Sequence, residues 1–215
     1  MKILVACEES QRVCIAFREK GHEAYSCDLD FCSGGRPEWH IWNDVSRLLN
    51  GDKKFLTCDG KEYYIDKWDM IIAFPPCTYL TKAGANLLYT KSGLDSKRYD
   101  EGCKAASFFY MIWNANCDKV VIENPIPMKV FNLPEPSQVI EPYYFGEPVT
   151  KKTCLWIRGN LPLLSPTKVV EPTYTFQTYP AFKNCNGKYR QKARSKTFPG
   201  VAKAMALSWG GDWYT

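Results

Sequence analysis

The stretch Trp68-Asp69-Met70-Ile71-Ile72-Ala73-Phe74-Pro75-Pro76-Cys77 decides how the chain is read. Its middle is apolar without polar alternation, as a strand buried on both faces must be, and two prolines end it because proline has no amide hydrogen to give to a ladder. Upstream, Ile3-Leu4-Val5-Ala6-Cys7 is another short apolar run. Glu9 to Lys20 then carries Val13, Ala16 and Phe17 on one helical face, with Gly21 as the stop. His22 to Cys27 is a second strand ending at Asp28, and Val120-Val121-Ile122 is a later one ending at Glu123-Asn124-Pro125. Between the last two strands, Ser96 to Cys117 repeats Ala105, Phe108, Phe109 and Ile112 at helical spacing. Strands that alternate with helices predict an α/β fold with a mostly parallel sheet and helices on both faces. Asp59-Gly60, between Phe55-Leu56-Thr57 and Tyr63-Tyr64-Ile65, predicts a small β-hairpin insertion over about 55–65.

Composition sets the outer bounds. With 215 residues, 45% hydrophobic and 24% charged, the chain is no disordered tail and no disulfide-stapled miniature. At this length folding buries roughly 70% of the surface of the unfolded chain, so a single domain over 1–215 needs no staple. The 10 cysteines show no C-x-x-C pair and stand beside only 2 histidines, so neither a disulfide framework nor a metal site is expected. Free, mostly buried thiols in a reducing cytoplasm are the expectation. The first residues turn to charge at Glu8 after a short apolar run, too soon for a signal-peptide core, and no run approaches the ~20 apolar residues of a membrane span. Net charge is +5, unevenly placed: no acidic residue occurs from Pro172 to Gly211, where Lys183, Lys188, Arg190, Lys192, Arg194, Lys196 and Lys203 fall. That is a solvated basic face or a surface for phosphates.

In an open parallel sheet, ligands sit outside the carboxyl ends of the strands. Here those ends carry Cys7-Glu8-Glu9-Ser10, Asp28, Pro75-Pro76-Cys77 and Glu123-Asn124. Two prolines place Cys77 on a rigid turn, and a helix beginning near Thr78 would lower its thiol pKa. Glu123 ends an apolar strand, where a carboxylate is either solvated at a rim or sits in a site that raises its pKa.

Phe74-Pro75-Pro76-Cys77, then Glu123-Asn124-Pro125, then Phe145-Gly146-Glu147-Pro148-Val149-Thr150-Lys151-Lys152-Thr153 resemble, in order and spacing, the motifs of the cytosine-5 DNA methyltransferases, with small bacteriophage and prophage proteins as the nearest likeness. The resemblance runs from Ile3 to about Trp209. It implies a Rossmann-like class I S-adenosylmethionine-dependent methyltransferase fold and methyl transfer to C5 of cytosine through a covalent Cys77–C6 adduct. It casts Cys77 as nucleophile, Glu123 as the acid at the base's N3, and Lys151 as the charge that orients the acid. For S-adenosylmethionine it implies Cys7, Glu8, Ser10, Asp28, Asp44, Pro75 and Ser195, with Asp28 on the ribose hydroxyls and Asp44 at the adenine. For the nucleic acid it implies Asn124, Lys151, Lys152, Thr153, Arg190 and Arg194.

The sequence departs from the family in three places. The loop after the first strand, Ala6-Cys7-Glu8-Glu9-Ser10-Gln11-Arg12, lacks the family's glycines. Lys151 and Thr153 stand where two arginines are usual, so bidentate clamping is lost, and Ser195 replaces an asparagine. About 160–192 there is only a short insertion in place of a target-recognition domain, whereas single recognition modules bury roughly 600–1,000 Å². Such a chain calls for a second copy, a recognition partner, or a target that needs little duplex reading. The substrate readings that stand are duplex or single-stranded DNA, an RNA or a pyrimidine nucleotide; a nucleic-acid-binding protein that has lost the reaction is the third reading.

Overall fold

The computed structural model describes residues 1–182 and 187–211, without the side chains of 188–191. Lys183 and Cys185 lie outside the described residues, as do the side chains of Lys188 and Arg190. The strands are β1 (Lys2–Ala6), β2 (Glu23–Asp28), β3 (His40–Trp42), the hairpin β4 (Lys54–Leu56) and β5 (Glu62–Tyr64), and β6 (Met70–Ala73). After these come a short pair, β7 (Tyr89–Thr90) and β8 (Gly93–Leu94), then β9 (Val120–Pro125), β10 (Gln138–Ile140), β11 (Val149–Thr150), β12 (Thr153–Arg158) and β13 (Tyr174–Thr175). The α-helices are α1 (Arg12–Arg18), α2 (Ser46–Leu49), α3 (Ala85–Leu88), α4 (Ser96–Trp113), α5 (Gly187–Ser195) and α6 (Pro199–Trp209).

Seven strands form one sheet in the order β3-β2-β1-β6-β9-β12-β10. The five from β3 to β9 are parallel, β1 pairing Ile3 with Met70 and Lys2 with Glu23. β12 is antiparallel to both β9 and β10. This is the Rossmann-like, mostly parallel α/β sheet that the sequence predicts.

Period-two alternation along the buried strands makes two cores. Ile3, Val5, Ile72 and Val121 face a layer that holds Val13 and Phe17 of α1 and Val201, Met205 and Trp209 of α6. Leu4, Ala6, Ile71, Ala73 and Ile122 face the other, with Phe109 and Ile112 of α4 and Leu48 and Leu49 of α2. Helices therefore cover both faces, as expected. Gly200 lets α6 lie against the chain before β11: a Cβ there would collide with the Phe145 carbonyl oxygen. The Asp-Gly hairpin also forms, β4 antiparallel to β5, with Gly60 at φ 83°.

Three differences from the sequence reading have physical causes. α1 begins at Arg12 rather than Glu9, because Cys7 and Gln11 both adopt left-handed backbone, each at φ 58°, and delay the helix. On α4 the buried side is Gly102, Ala106, Phe109 and Ile112, with Ala105 and Phe108 only half-buried: the helix sits rotated so that Gly102 meets the Phe131 ring. Two sheet strands, β10 and β12, lie in the proline-rich region after residue 125, where scattered prolines hid them. Most of the described thiols are buried, as expected: Cys14, Cys27, Cys32, Cys117 and Cys154 are buried, Cys7, Cys58 and Cys77 half-buried, and Cys103 exposed. Among the described residues no helix is long and apolar enough to cross a membrane.

Candidate functional site

A cavity of about 880 Å³ opens at the carboxyl ends of β1, β2, β6 and β9. Chain connections diverge there, from β1 back to β2 on one side and from β6 on to β9 on the other, which opens a crevice between them. Its walls include Cys7, Glu8, Glu9, Ser10, Asp28, Pro75, Cys77, Glu123, Lys151, Arg194 and Ser195.

Cys77 follows the prolines that stop β6. Phe74 N–H donates to Ala6 O at 3.0 Å as the last link between the β6 and β1 ends, and Leu80 and Thr81 N–H both donate back to Cys77 O. The chain therefore turns over Cys77–Thr81 instead of starting a helix at Thr78, and the next helical residues begin at Lys82. No helix terminus lowers the thiol: burial and the charge of Glu123 push it up, and Lys151 and Arg194 pull it back. Asn124 is buried next door on β9. Its Nδ2 donates to Pro75 O at 3.3 Å, tying the Pro-Pro-Cys turn to the strand that carries Glu123.

Burial pushes the Glu123 carboxyl up, and Lys151 opposes this. Lys151 arrives there because β12 is antiparallel to β9, with Thr153 opposite Pro125, so the chain entering β12 lies at the carboxyl edge of the parallel strands. Glu141 accepts the Lys151 N–H at 2.7 Å and fixes that entry. Lys152 is exposed and Thr153 is buried in β12, its Oγ1 donating to Lys151 O at 3.1 Å; neither lines the cavity.

At the other end, the loop after β1 does without glycine by placing Cys7 in the left-handed region itself. Its N–H donates to Cys27 O at 2.7 Å, which ties the loop to the end of β2. Burial, then Asp28 and Asp44, push the Cys7 thiol up to about 12, so it is inert. Glu8 spends its carboxylate on α1: Oε1 accepts from Val13 N–H at 2.7 Å and Oε2 from Cys14 N–H at 3.1 Å. Asp28 lines the cavity, with Oδ1 accepting Asp30 N–H at 2.9 Å; burial pushes its carboxyl up. Asp44 stays outside the lining, its Oδ1 accepting Ser46 N–H at 2.9 Å at the start of α2. Ser195 is exposed at the rim and donates to Lys192 O.

Three features of the site had no role in the sequence reading: Glu9, the pair Lys192 and Lys196, and Phe176. Glu9 is only 8% exposed, lines the cavity, and neither of its carboxylate oxygens has a hydrogen-bond partner. Beside it Ser10, which the resemblance named for the cofactor, lines the cavity too, its hydroxyl also buried without a hydrogen-bond partner. Lys192 and Lys196 each approach Glu9 at 3.8 Å, and Lys192 also pairs with Asp30 at 3.2 Å, which brings the basic segment over the loop. Phe176 stands in the wall beside Lys151 and Arg194. Only the uninterrupted run of basic residues hinted at the lysines.

These observations bear on whether the residues suit S-adenosylmethionine. The cavity lies within the usual range for ligand sites, roughly 300–1,000 Å³. A carboxylate at the β2 end suits ribose hydroxyls, and Glu9 and Ser10, buried with side-chain oxygens that make no hydrogen bond, suit the ammonium-bearing end of an amino acid. The donor set fits.

No family model matches the chain. No curated protein matches it either. Solved structures with a similar chain trace include a DNA modification methyltransferase encoded within a prophage of E. coli, at 13% identity and TM-score 0.46, over 79% of this chain and 51% of that one. Another is a triple-alanine variant of Spodoptera frugiperda DNMT2, at 16% identity and TM-score 0.38, over 80% and 54%. The chain thus spans about half the length of each, 51% and 54%.

Proposed function

We propose that this protein is an S-adenosylmethionine-dependent methyltransferase that methylates C5 of cytosine in DNA through a transient bond between Cys77 and C6. The observation that carries the reading is the convergence of Cys77 and Glu123, from adjacent strand ends, with Lys151 on one cavity whose wall also holds Asp28 and the buried Glu9 and Ser10, whose side-chain oxygens make no hydrogen bond. S-adenosylmethionine, held by Asp28 at its ribose and by Glu9 and Ser10 at its amino-acid end, supplies the methyl electrophile.

Cytosine C5 is a poor nucleophile until C6 is substituted. Cys77 loses its proton and its sulfur bonds to C6, and the C5–C6 π pair moves into the ring. Glu123, whose carboxyl burial holds protonated to higher pH, donates to N3 and stabilises that charge. A neutral Glu123 also removes the anion that most opposes a Cys77 thiolate, leaving Lys151 and Arg194 to favour it. C5 then takes the methyl group as the donor's sulfonium keeps the S–CH3 bond pair and leaves as a thioether. The C5 proton passes to solvent, N3 returns its proton to Glu123, and the sulfur–C6 bond breaks, its pair leaving on Cys77 while the C5–H pair restores the double bond. Asn124 keeps the two reacting elements in register by holding Pro75. The target base leaves its stack to reach such a cavity.

Residues 160–182 and 187–192, in this reading, replace a target-recognition domain and contribute charge and aromatic surface rather than a sequence-reading module. A second copy or a recognition partner would supply duplex specificity. The test is label transfer from methyl-labelled S-adenosylmethionine to duplex DNA, single-stranded DNA, RNA and dCMP, with wild type and Cys77→Ala. Label at cytosine C5 of DNA, lost in the variant, is the expected result. Label on RNA or dCMP alone moves the substrate. No label on any acceptor, with no S-adenosylmethionine binding by calorimetry, contradicts the reading.

A further inference from the structure

Phe176 belongs to the segment after residue 160 and has no part in the reaction above. Its position is set by backbone pairing: β13 runs parallel to β11 with Thr150 opposite Thr175, so the residues that follow, Lys151 and Phe176, come side by side. The turn beyond is closed by Thr178 N–H donating to Thr175 O at 3.1 Å and Thr175 N–H donating to Thr178 Oγ1 at 3.0 Å. Phe182 meets the Phe176 ring edge-on at 5.2 Å between centroids, and Tyr179 bridges Phe182 and Phe198. The ring is thus held from several sides.

Two cations meet that ring. Lys151 Nζ lies 4.9 Å from its centroid and Arg194 Cζ 4.4 Å. Both distances are within the reach of cation–π attraction, about 6 Å. Among the described residues neither side chain forms a salt bridge, and although Lys151 also lies 6.0 Å from the Phe198 centroid, Phe176 is the ring that both cations share.

We infer that Phe176 is a positioning residue: its ring gathers Lys151 and Arg194 on the wall they share with Cys77 and Glu123, and so sets how readily Cys77 acts as a nucleophile. The inference rests on the assignment of Cys77 above. The charges acting on the thiol are Glu123 of β9, Lys151 before β12 and Arg194 of α5. Glu8, Glu9, Asp28, Asp30, Lys192 and Lys196 are the other charged groups on the wall. If the ring goes, the two cations separate, and the thiol must ionise against burial with less help.

The experiment is alkylation of the full chain by iodoacetamide across pH, followed at the Cys77 peptide by mass spectrometry, with folding checked by circular dichroism. Phe176→Met and Phe176→Leu keep apolar bulk without a π face, and either alone suffices if the other fails to fold. Both are expected to move the Cys77 midpoint upward by about 0.5 pH, in the direction of Lys151→Gln and Arg194→Gln, while Phe176→Tyr stays with wild type. The inference is overturned if the folded Met or Leu variant titrates with wild type, if Phe176→Tyr moves as far as they do, or if removing the cations moves nothing. Trapping by 5-fluorocytosine DNA in the same variants separates the two failures. Adduct with an unmoved midpoint sinks the positioning role alone, and no adduct in wild type sinks the reaction.

Discussion

Cys77, Glu123 and Asp28 stand at the ends of β6, β9 and β2, on backbone fixed by the central sheet, whereas Phe176, Lys192, Arg194 and Lys196 reach the same cavity from chain outside that sheet. The first wall is held by ladder hydrogen bonds, the Asn124–Pro75 tie and a core packed from both faces. The second is held by ion pairs of 3.2–3.8 Å on partly exposed lysines and by cation–π contacts. Bond-making groups need fixed geometry, because small misplacements are costly at a reacting centre. Charges that meet a polyanion act over longer range and tolerate movement. Lys151 joins the two walls, entering beside β9 yet resting against Phe176.

Three substitutions put that contrast at risk, in falling order of effect. Glu123→Gln, on the fixed wall, is expected to lower methyl transfer by roughly 10²–10⁴ while leaving S-adenosylmethionine affinity within about twofold. A loss below tenfold would show that the carboxyl is no acid.

Glu8→Gln probes the loop that the fixed wall stands on. Burial pushes the folded Glu8 pKa from 4.5 up to about 8, so between those values the folded chain holds a proton that the unfolded chain has lost. Stability from this group is therefore greatest below the unfolded pKa and falls as pH rises through about 8, by on the order of 4–5 kcal/mol. Glutamine keeps an oxygen for one of the two α1 amides, leaves the other without its acceptor at every pH, and does not titrate. The wild-type melting temperature should drop more between pH 5 and pH 8.5 than that of the variant, and parallel curves would refute the burial argument.

Lys192→Ala, on the second wall, removes pairs with Glu9 and Asp30 whose lysine is 38% exposed. It should cost less than about 1 kcal/mol in urea unfolding and nothing measurable in 1 M salt, where screening reaches about 3 Å. A larger, salt-independent loss would place this wall with the rigid one.

The same contrast governs how much was legible in the sequence. Met70–Ala73 and Val120–Ile122 announce themselves as buried parallel strands because both faces are covered, and Cys77 and Glu123 at their ends line the cavity. Local signals also sufficed for the hairpin, through Asp59-Gly60. The helix start at Arg12 was not legible, since it depends on left-handed Cys7 and Gln11, which residue type disfavours. Glu8 reads as a ligand-facing carboxylate until α1 claims it, and Asp44 likewise until Ser46 does. Phe176 was invisible for another reason. Its neighbours Lys151 and Arg194 come from distant parts of the chain, and only the register of β11 with β13 brings the first of them to it.

The central claim is that Cys77 is the nucleophile, and covalent capture tests it most directly. Wild-type protein is incubated with S-adenosylmethionine and DNA in which 5-fluorocytosine replaces cytosine, then digested and analysed by mass spectrometry. A methylated fluoropyrimidine adduct on the Cys77 peptide, absent from Cys77→Ala, is the predicted result. Methyl transfer to ordinary cytosine that persists in Cys77→Ala, or turnover in wild type without any adduct, would contradict it.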